Sequence, residues 1–347
     1  VRMRLRLLSG VGLIAVTAVV CGCGSEPVKK PVTTKADMAA KLQQVKAAKT
    51  ANAAKVKANE LGQIPVLMFH RVIKNPATTD DRTPEQFRGD LERLVKDGYV
   101  PITAAEYVTG KIDIPAGKHA VVLTFDDSSP SQLTLDEMGN LAPDTAIGIL
   151  RDVAAKNPGF RPVATMYVTR DMFGKTEHDE QAQMLLWLKD NGFDIGNHTR
   201  DHINLHSRSE KEVEEQIATI QTMITSLGAA KPVTLALPYG NQPHNKKWAM
   251  HGKLGDVTYD HGGVFLAGYT PAPAPFSKSF DPLGIPRIRA MDKKGDCTQF
   301  CSVAWLDWLK SNPDMRYTSD GDPATVAFPK FKTPFVRPAF KTWALAY

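Results

Sequence analysis

Cysteine is scarce in this 347-residue chain: four in all, and only Cys297 and Cys301 beyond residue 23. A metal site built on that Cys-x3-Cys pair would need further ligands nearby, and none flank it. The spacing permits a disulfide across one helical turn and equally permits two free thiols. Long apolar runs are missing outside the N-terminus, which excludes a multi-span helical membrane protein. No repeat of fixed period is present. A basic excess is also missing from most of the chain, although the formal net charge is +6. Residues 1–60 hold 11 Lys+Arg against 3 Asp+Glu, while the remaining 287 residues hold 32 against 34. The basic character therefore belongs to the N-terminal segment, and nucleic acid is not an expected partner. What is present is 42% hydrophobic and 23% charged residues. That balance excludes a wholly disordered or collagen-like chain, and the length suits one large domain or two ordinary ones.

Arg2, Arg4 and Arg6 precede an apolar stretch from Leu7 to Val20. The stretch is too short to span a bilayer comfortably and right for a signal h-region. Val20-Cys21-Gly22-Cys23 follows, and a small residue before a cysteine at that point resembles the bacterial lipoprotein lipobox. The resemblance implies a lipoprotein signal over residues 1–23. Cys23 would be the lipidated first residue of the mature chain, and the protein would be exported and held by lipid on the periplasmic or cell-surface side. An ordinary cleaved signal or an N-terminal anchor is the alternative. Residues 24–62 read as a basic Ala/Lys-rich tether. Its helix begins near Lys35 and has no clean apolar stripe, so it has little to bury.

The rest, residues 63–347, alternates strand and helix signals. Apolar runs predict strands at Ile64–Phe69, Ala120–Phe125, Val163–Val168, Phe193–Ile195, Val233–Leu237 and Ile285–Ile288. Helical spacing places Phe87, Leu91, Leu94 and Val95 on one helix after Thr83-Pro84. It places Met184 to Leu188 on a second helix that ends at Asn191-Gly192. Val213, Ile217, Ile220 and Ile224 share one face of a third, and Trp305, Trp308 and Leu309 lie on a late one. Alternating strands and helices imply a parallel sheet, and their number suggests an α/β barrel, closed or nearly so. Thr270–Pro275 and the Pro- and aromatic-rich tail after Asn312 read as loops, the tail as a wrap over apolar surface.

Three short motifs sit at the ends of predicted strands, the face where parallel barrels collect catalytic groups. Thr124-Phe125-Asp126-Asp127 puts two carboxylates side by side, which is costly unless a cation or solvent compensates them. His198-Thr-Arg-Asp-His202 spaces two imidazoles so that both can reach one metal ion, and His206 lies four residues further on. One carboxylate and two imidazoles leave positions open for water and substrate, as in a catalytic site. Leu237-Pro238-Tyr239-Gly240 follows another strand, and by itself is an ordinary turn.

In this order the three resemble the polysaccharide deacetylases, the NodB-homology domain of carbohydrate esterase family 4. The resemblance covers roughly residues 63–290. It implies a distorted (β/α) barrel of seven or eight parallel strands that hydrolyses N-acetyl groups on an acetylated amino-sugar polysaccharide. By carry-over Asp126 is the catalytic base, and Asp127, His198 and His202 hold a divalent metal, Zn²⁺ foremost, with Fe²⁺, Co²⁺ or Ni²⁺ as alternatives. The Tyr239 backbone N–H is the oxyanion donor, and Pro238 and Tyr239 meet the substrate. Two departures stand out. The Arg expected two residues before Pro238 is Ala236, and no Leu-x-His follows near the C-terminus, the last histidine being His261. Exported deacetylases of biofilm poly-N-acetylglucosamine likewise carry an N-terminal strand ending in histidine, here Val66 to His70. His70 is therefore the expected general acid, with His261 and His206 as competitors, and Arg287 or Arg289 the expected substitute for the missing Arg. An O-acetyl esterase, or a degenerate polysaccharide-binding lipoprotein, is the competing function.

Overall fold

The computed structural model describes residues 35–295 and 297–347. The signal segment, Cys23 and the first part of the tether lie outside the described residues. Eight parallel strands form the central sheet: β1 (Val66–Phe69), β2 (Tyr99–Ile102), β3 (His119–Phe125), β4 (Thr165–Val168), β5 (Asp194–Asn197), β6 (Thr234–Ala236), β7 (Gly263–Phe265) and β8 (Ile288–Arg289). Their order is β7-β6-β5-β4-β3-β1-β8, and β2 pairs with the first half of β3. The sheet curls until its edges meet through one segment. Ile285 bridges Phe265 on one side, while Ile288 and Arg289 pair with Leu67 and Met68 on the other. This is the distorted barrel expected from the sequence.

Side-chain alternation divides the core. Val121, Leu123 and Phe125 of β3 pack outward with Phe87, Leu91 and Leu150 of the flanking helices. Ala120 and Val122 face the other way, into a cluster with Tyr107, Tyr167 and Phe265. The helix Pro84–Lys96 starts at a Thr83/Gln86 capping box with Pro84 in its first turn. The helix Glu210–Ser226 starts at a Ser209/Glu212 box and buries Val213, Ile217, Ile220 and Ile224. Some elements carry weak local signals and escape sequence reading. They are β2, which contains Pro101, the helix Ala146–Lys156, and three-residue β7.

Three expectations shift. The helix Lys35–Lys55 is present, but the compact body begins at Lys46, not at residue 63. Ala53, Ala58, Asn59 and Glu60 are buried, because this end of the helix packs on the tail. The tail is not all loop: Val326–Phe328 and Ala344–Ala346 form a parallel pair with Ala327 and Phe328 fully buried. Within Thr270–Pro275, Ala272–Pro273 pairs with Gln63–Ile64. Cys297 and Cys301 are joined in a disulfide. No helix among the described residues is long and apolar enough to cross a membrane.

Candidate active site

Strand termini bring the three motifs together. Asp126 follows the last residue of β3, and its N–H donates to the Phe69 carbonyl of neighbouring β1. Next door, the Gln132 amide donates to both the His70 and Asp126 carbonyls and ties the two strand ends to each other. His198 follows β5, and Leu237 to Gly240 follow β6. All converge on a cleft of about 310 Å³ lined by His70, Asp126, Asp127, His198, His202 and Tyr239.

Asp126 is almost wholly buried and Arg287 is fully buried. Nη1 and Nη2 of Arg287 donate to the two carboxylate oxygens at 2.7 Å each, a bidentate fork. Nε of Arg287 donates to the Leu266 carbonyl, and Nη1 also reaches the Thr124 hydroxyl. Burial pushes the Asp126 carboxyl up, but the charges of Arg287 and then His198 override it and hold the group below the usual carboxylate range. Arg287 thus stands where Ala236 cannot. Arg289, the other expected substitute, pairs with Asp80 instead.

Asp127 is partly exposed and, unlike Asp126, has no arginine partner among the described residues. Its Oδ1 lies 3.3 Å from Nε2 of His198 and 3.2 Å from Nε2 of His202. The three donor atoms lie within 4.8 Å of one another. His198 is oriented from behind, its Nδ1–H donating to the Ala236 carbonyl at 2.8 Å, which leaves Nε2 as the free lone pair. One carboxylate oxygen and two imidazole nitrogens aimed at one point fit a divalent cation of the Zn²⁺ class.

The turns that achieve this are strained. Of the seven non-glycine residues with positive φ among the described residues, four belong to the three motifs, Asp127, Thr199, His202 and Tyr239, and Ser128 directly follows the first. Left-handed backbone at such residues persists only where the surroundings impose it, and it collects at functional sites. Gly240 is a necessary partner. Its φ is +69°, and a Cβ there would lie 2.5 Å from the Ala267 nitrogen.

His70 lines the cleft, and its Nδ1 is buried without a hydrogen-bond partner among the described residues. His206 bonds the Gln242 carbonyl and His261 the Ala249 carbonyl, and neither lines the cleft. The structure therefore gathers His198 and His202 but not His206. Sequence reading missed Gln132 and Tyr269, whose contacts with the site arise only from folding. Arg287, 161 residues beyond Asp126, was one of two named options.

The sequence profile of the polysaccharide deacetylase family matches residues 113–255. No curated protein sequence matches the chain. Among solved structures, the chain is similar to the Streptococcus pyogenes deacetylase PplD in complex with acetate. Identity there is 20%, over 66% of this chain and 92% of that one, with a TM-score of 0.49. A candidate polysaccharide deacetylase from Bacillus anthracis is 16% identical over 70% of this chain and 69% of that one, with a TM-score of 0.51. IcaB from Ammonifex degensii is 18% identical over 71% and 97%, with a TM-score of 0.47.

Proposed function

Because a polysaccharide deacetylase domain occupies residues 113–255 and makes the chain a deacetylase hydrolase, we propose that it removes N-acetyl groups from an amino-sugar polysaccharide in a metal-dependent reaction. The observation that carries this reading is the pairing of two carboxylates with opposite environments: Asp126 buried on Arg287, Asp127 facing two imidazoles. Adjacent acids held apart in this way divide the work between base and ligand.

Amide hydrolysis needs a deprotonated water, a stabilised tetrahedral oxyanion and a protonated leaving amine. A divalent cation held by Asp127, His198 and His202 would supply Lewis-acid polarisation and would acidify the attacking water. Asp126 takes that water's proton. Arg287 fixes the plane of its carboxylate and keeps it ionised, and each carboxylate oxygen retains a lone pair. The Tyr239 N–H donates to the developing oxyanion, with Pro238 setting the turn. His70 delivers a proton to the amine, which is a poor leaving group without one. Poly-N-acetylglucosamine is the favoured polymer, on the strength of His70 directly after β1, with peptidoglycan and chitin-like chains as alternatives. The exported, lipid-anchored location belongs to the same proposal, and mass spectrometry of the mature N-terminus tests whether Cys23 carries the lipid.

Acetate release from a panel of these polymers, with and without a chelator, tests the function. The expected result is release from at least one amino-sugar polymer, lost on chelation and restored by a divalent cation. Asp126→Asn should retain metal without turnover, and Asp127→Asn should lose metal affinity. Release only from O-acetylated xylan, or full turnover after metal removal confirmed by elemental analysis, overturns the reading.

A further inference from the structure

The cleft does not end at the reacting residues. Tyr269, 61% exposed, forms part of its rim. The Tyr269 ring lies 6.4 Å from Phe300 at 71°, and the Tyr269 carbonyl accepts a hydrogen bond of 2.6 Å from Nε1 of Trp305. Trp305 in turn meets Trp308 edge to face at 5.5 Å. Phe300 and Trp308 are 47% and 38% exposed. The two tryptophans line a second groove of about 400 Å³, whose other walls include Gln299, Thr298, Lys293 and Asp307.

This stretch of the chain is held in place. The Cys297–Cys301 disulfide closes the turn that carries Phe300. The Ser302 hydroxyl bonds both the N–H and the carbonyl of Met291, and Leu306 and Leu309 bury the inner face of the helix Ser302–Ser311. Core packing therefore accounts for the inward side chains and for part of Trp305, which packs against the core, and leaves the exposed rings of Tyr269, Phe300 and Trp308 without a folding role. Exposed apolar patches rimmed by polar groups mark binding grooves. A sugar ring presents an apolar C–H face and a polar edge. Flat aromatic rings flanked by an amide, a hydroxyl and charged groups complement both.

The geometry points to an extended glycan-binding platform, Tyr269–Phe300–Trp305–Trp308, that holds the substrate polymer beyond the sugar being deacetylated. Its occupant is the acetylated amino-sugar chain itself, because the run is continuous with the catalytic cleft through Tyr269. The inference rests on the function proposed above and adds to it a preference for long over short substrates, set by residues remote from the chemistry.

The test compares the full chain with Trp308→Ala, Phe300→Ala and the double variant, on polymer and on a small aryl acetate. The ratio of kcat/KM on polymer to that on aryl acetate should fall about tenfold or more in the double variant, through KM. Trp308→Phe, which keeps a ring, should recover most of it. An unchanged ratio in the double variant overturns the platform. Absence of acetate release from every amino-sugar polymer, with aryl acetate still cleaved, counts against the function and not against the platform. In that case co-sedimentation with each polymer in an Asp126→Asn background decides: weaker binding in the double variant supports the platform, and equal binding or none overturns it.

Discussion

Arg287 is the residue on which Asp126 depends. A buried carboxylate stripped of its bidentate partner costs about 3–5 kcal/mol. Arg287→Ala should lower the unfolding free energy by that order. Combining it with Asp126→Asn should recover most of the loss, because the charge that needed compensation is then gone. Denaturant unfolding of the four members of this cycle measures the coupling, and additive losses would refute it. His70 invites a different comparison. His70→Ala should keep fold and metal while losing roughly 10²–10⁴ in turnover on the amide polymer, the usual worth of an acid–base group. An aryl acetate, whose leaving group needs no proton, should suffer much less. Equal losses on both substrates would make His70 a structural part of the rim. Both residues show what spacing alone conveys. Asp126, Asp127, His198 and His202 were legible because each pair falls within one short motif. Arg287 had to be chosen from two candidates, and only the folded chain shows that Arg289 is already taken by Asp80.

At the scale of elements, the helix Glu210–Ser226 carries the loop of the proposed metal site. Its Gln216 donates to Asp201 Oδ2 at 2.7 Å and accepts from the Asp201 N–H, while the Gln216 carbonyl accepts from the Arg200 N–H. One residue on, the Ile217 carbonyl accepts from the Asn197 amide, whose oxygen holds the Thr199 N–H. The loop from Asn197 to Asp201 is thus held by this helix, and it includes Thr199, one of the residues with positive φ. Gln216→Leu keeps the helix and its capping box but removes two of these bonds. We expect about tenfold weaker binding of Zn²⁺, since groups that orient ligands typically matter by 10–100-fold. Titration calorimetry reads it, with circular dichroism as the fold control. Unaltered affinity would show that the loop holds its own shape. The helix itself was plain in the sequence from Ser209 and its apolar stripe. Its partnership with the loop was not, because Gln216 looks like any polar position on a helix.

Over the folded body, Asn59 and Glu60 meet the tail beside the start of β3, at the strand end opposite the cleft. His119, the first residue of β3, lies against the Tyr317 carbonyl through Nδ1, and Tyr317 donates from its hydroxyl to buried Glu60. Burial, followed by the charge of Arg316, lowers the His119 pKa from 6.5 to about 4. A histidine depressed in the fold protonates first in the unfolded chain. Its contribution to stability is therefore complete above about pH 6.5 and lost as the pH falls towards 4, at roughly 1.4 kcal/mol per unit. His119→Gln cannot take up that proton. The stability of the natural protein relative to this variant should therefore decline at that rate across the window, as read from urea unfolding at a series of pH values. Parallel profiles would refute the linkage.

The residue pattern by itself determined the class of fold, most of the strands and helices, and four of the residues that line the candidate cleft. Apolar periodicity, capping boxes and short motifs are local properties, written within a few residues of one another. Only the tertiary structure decided which arginine holds Asp126, that His206 and His261 stay out of the cleft, that the two late cysteines join, and where the body begins. Each of these depends on side chains distant in sequence meeting in space. Ala236 illustrates the difference: its small side chain announces that an arginine is missing, but only the closing of the barrel across Ile285 to Arg289 places Arg287 opposite the carboxylate that needs it.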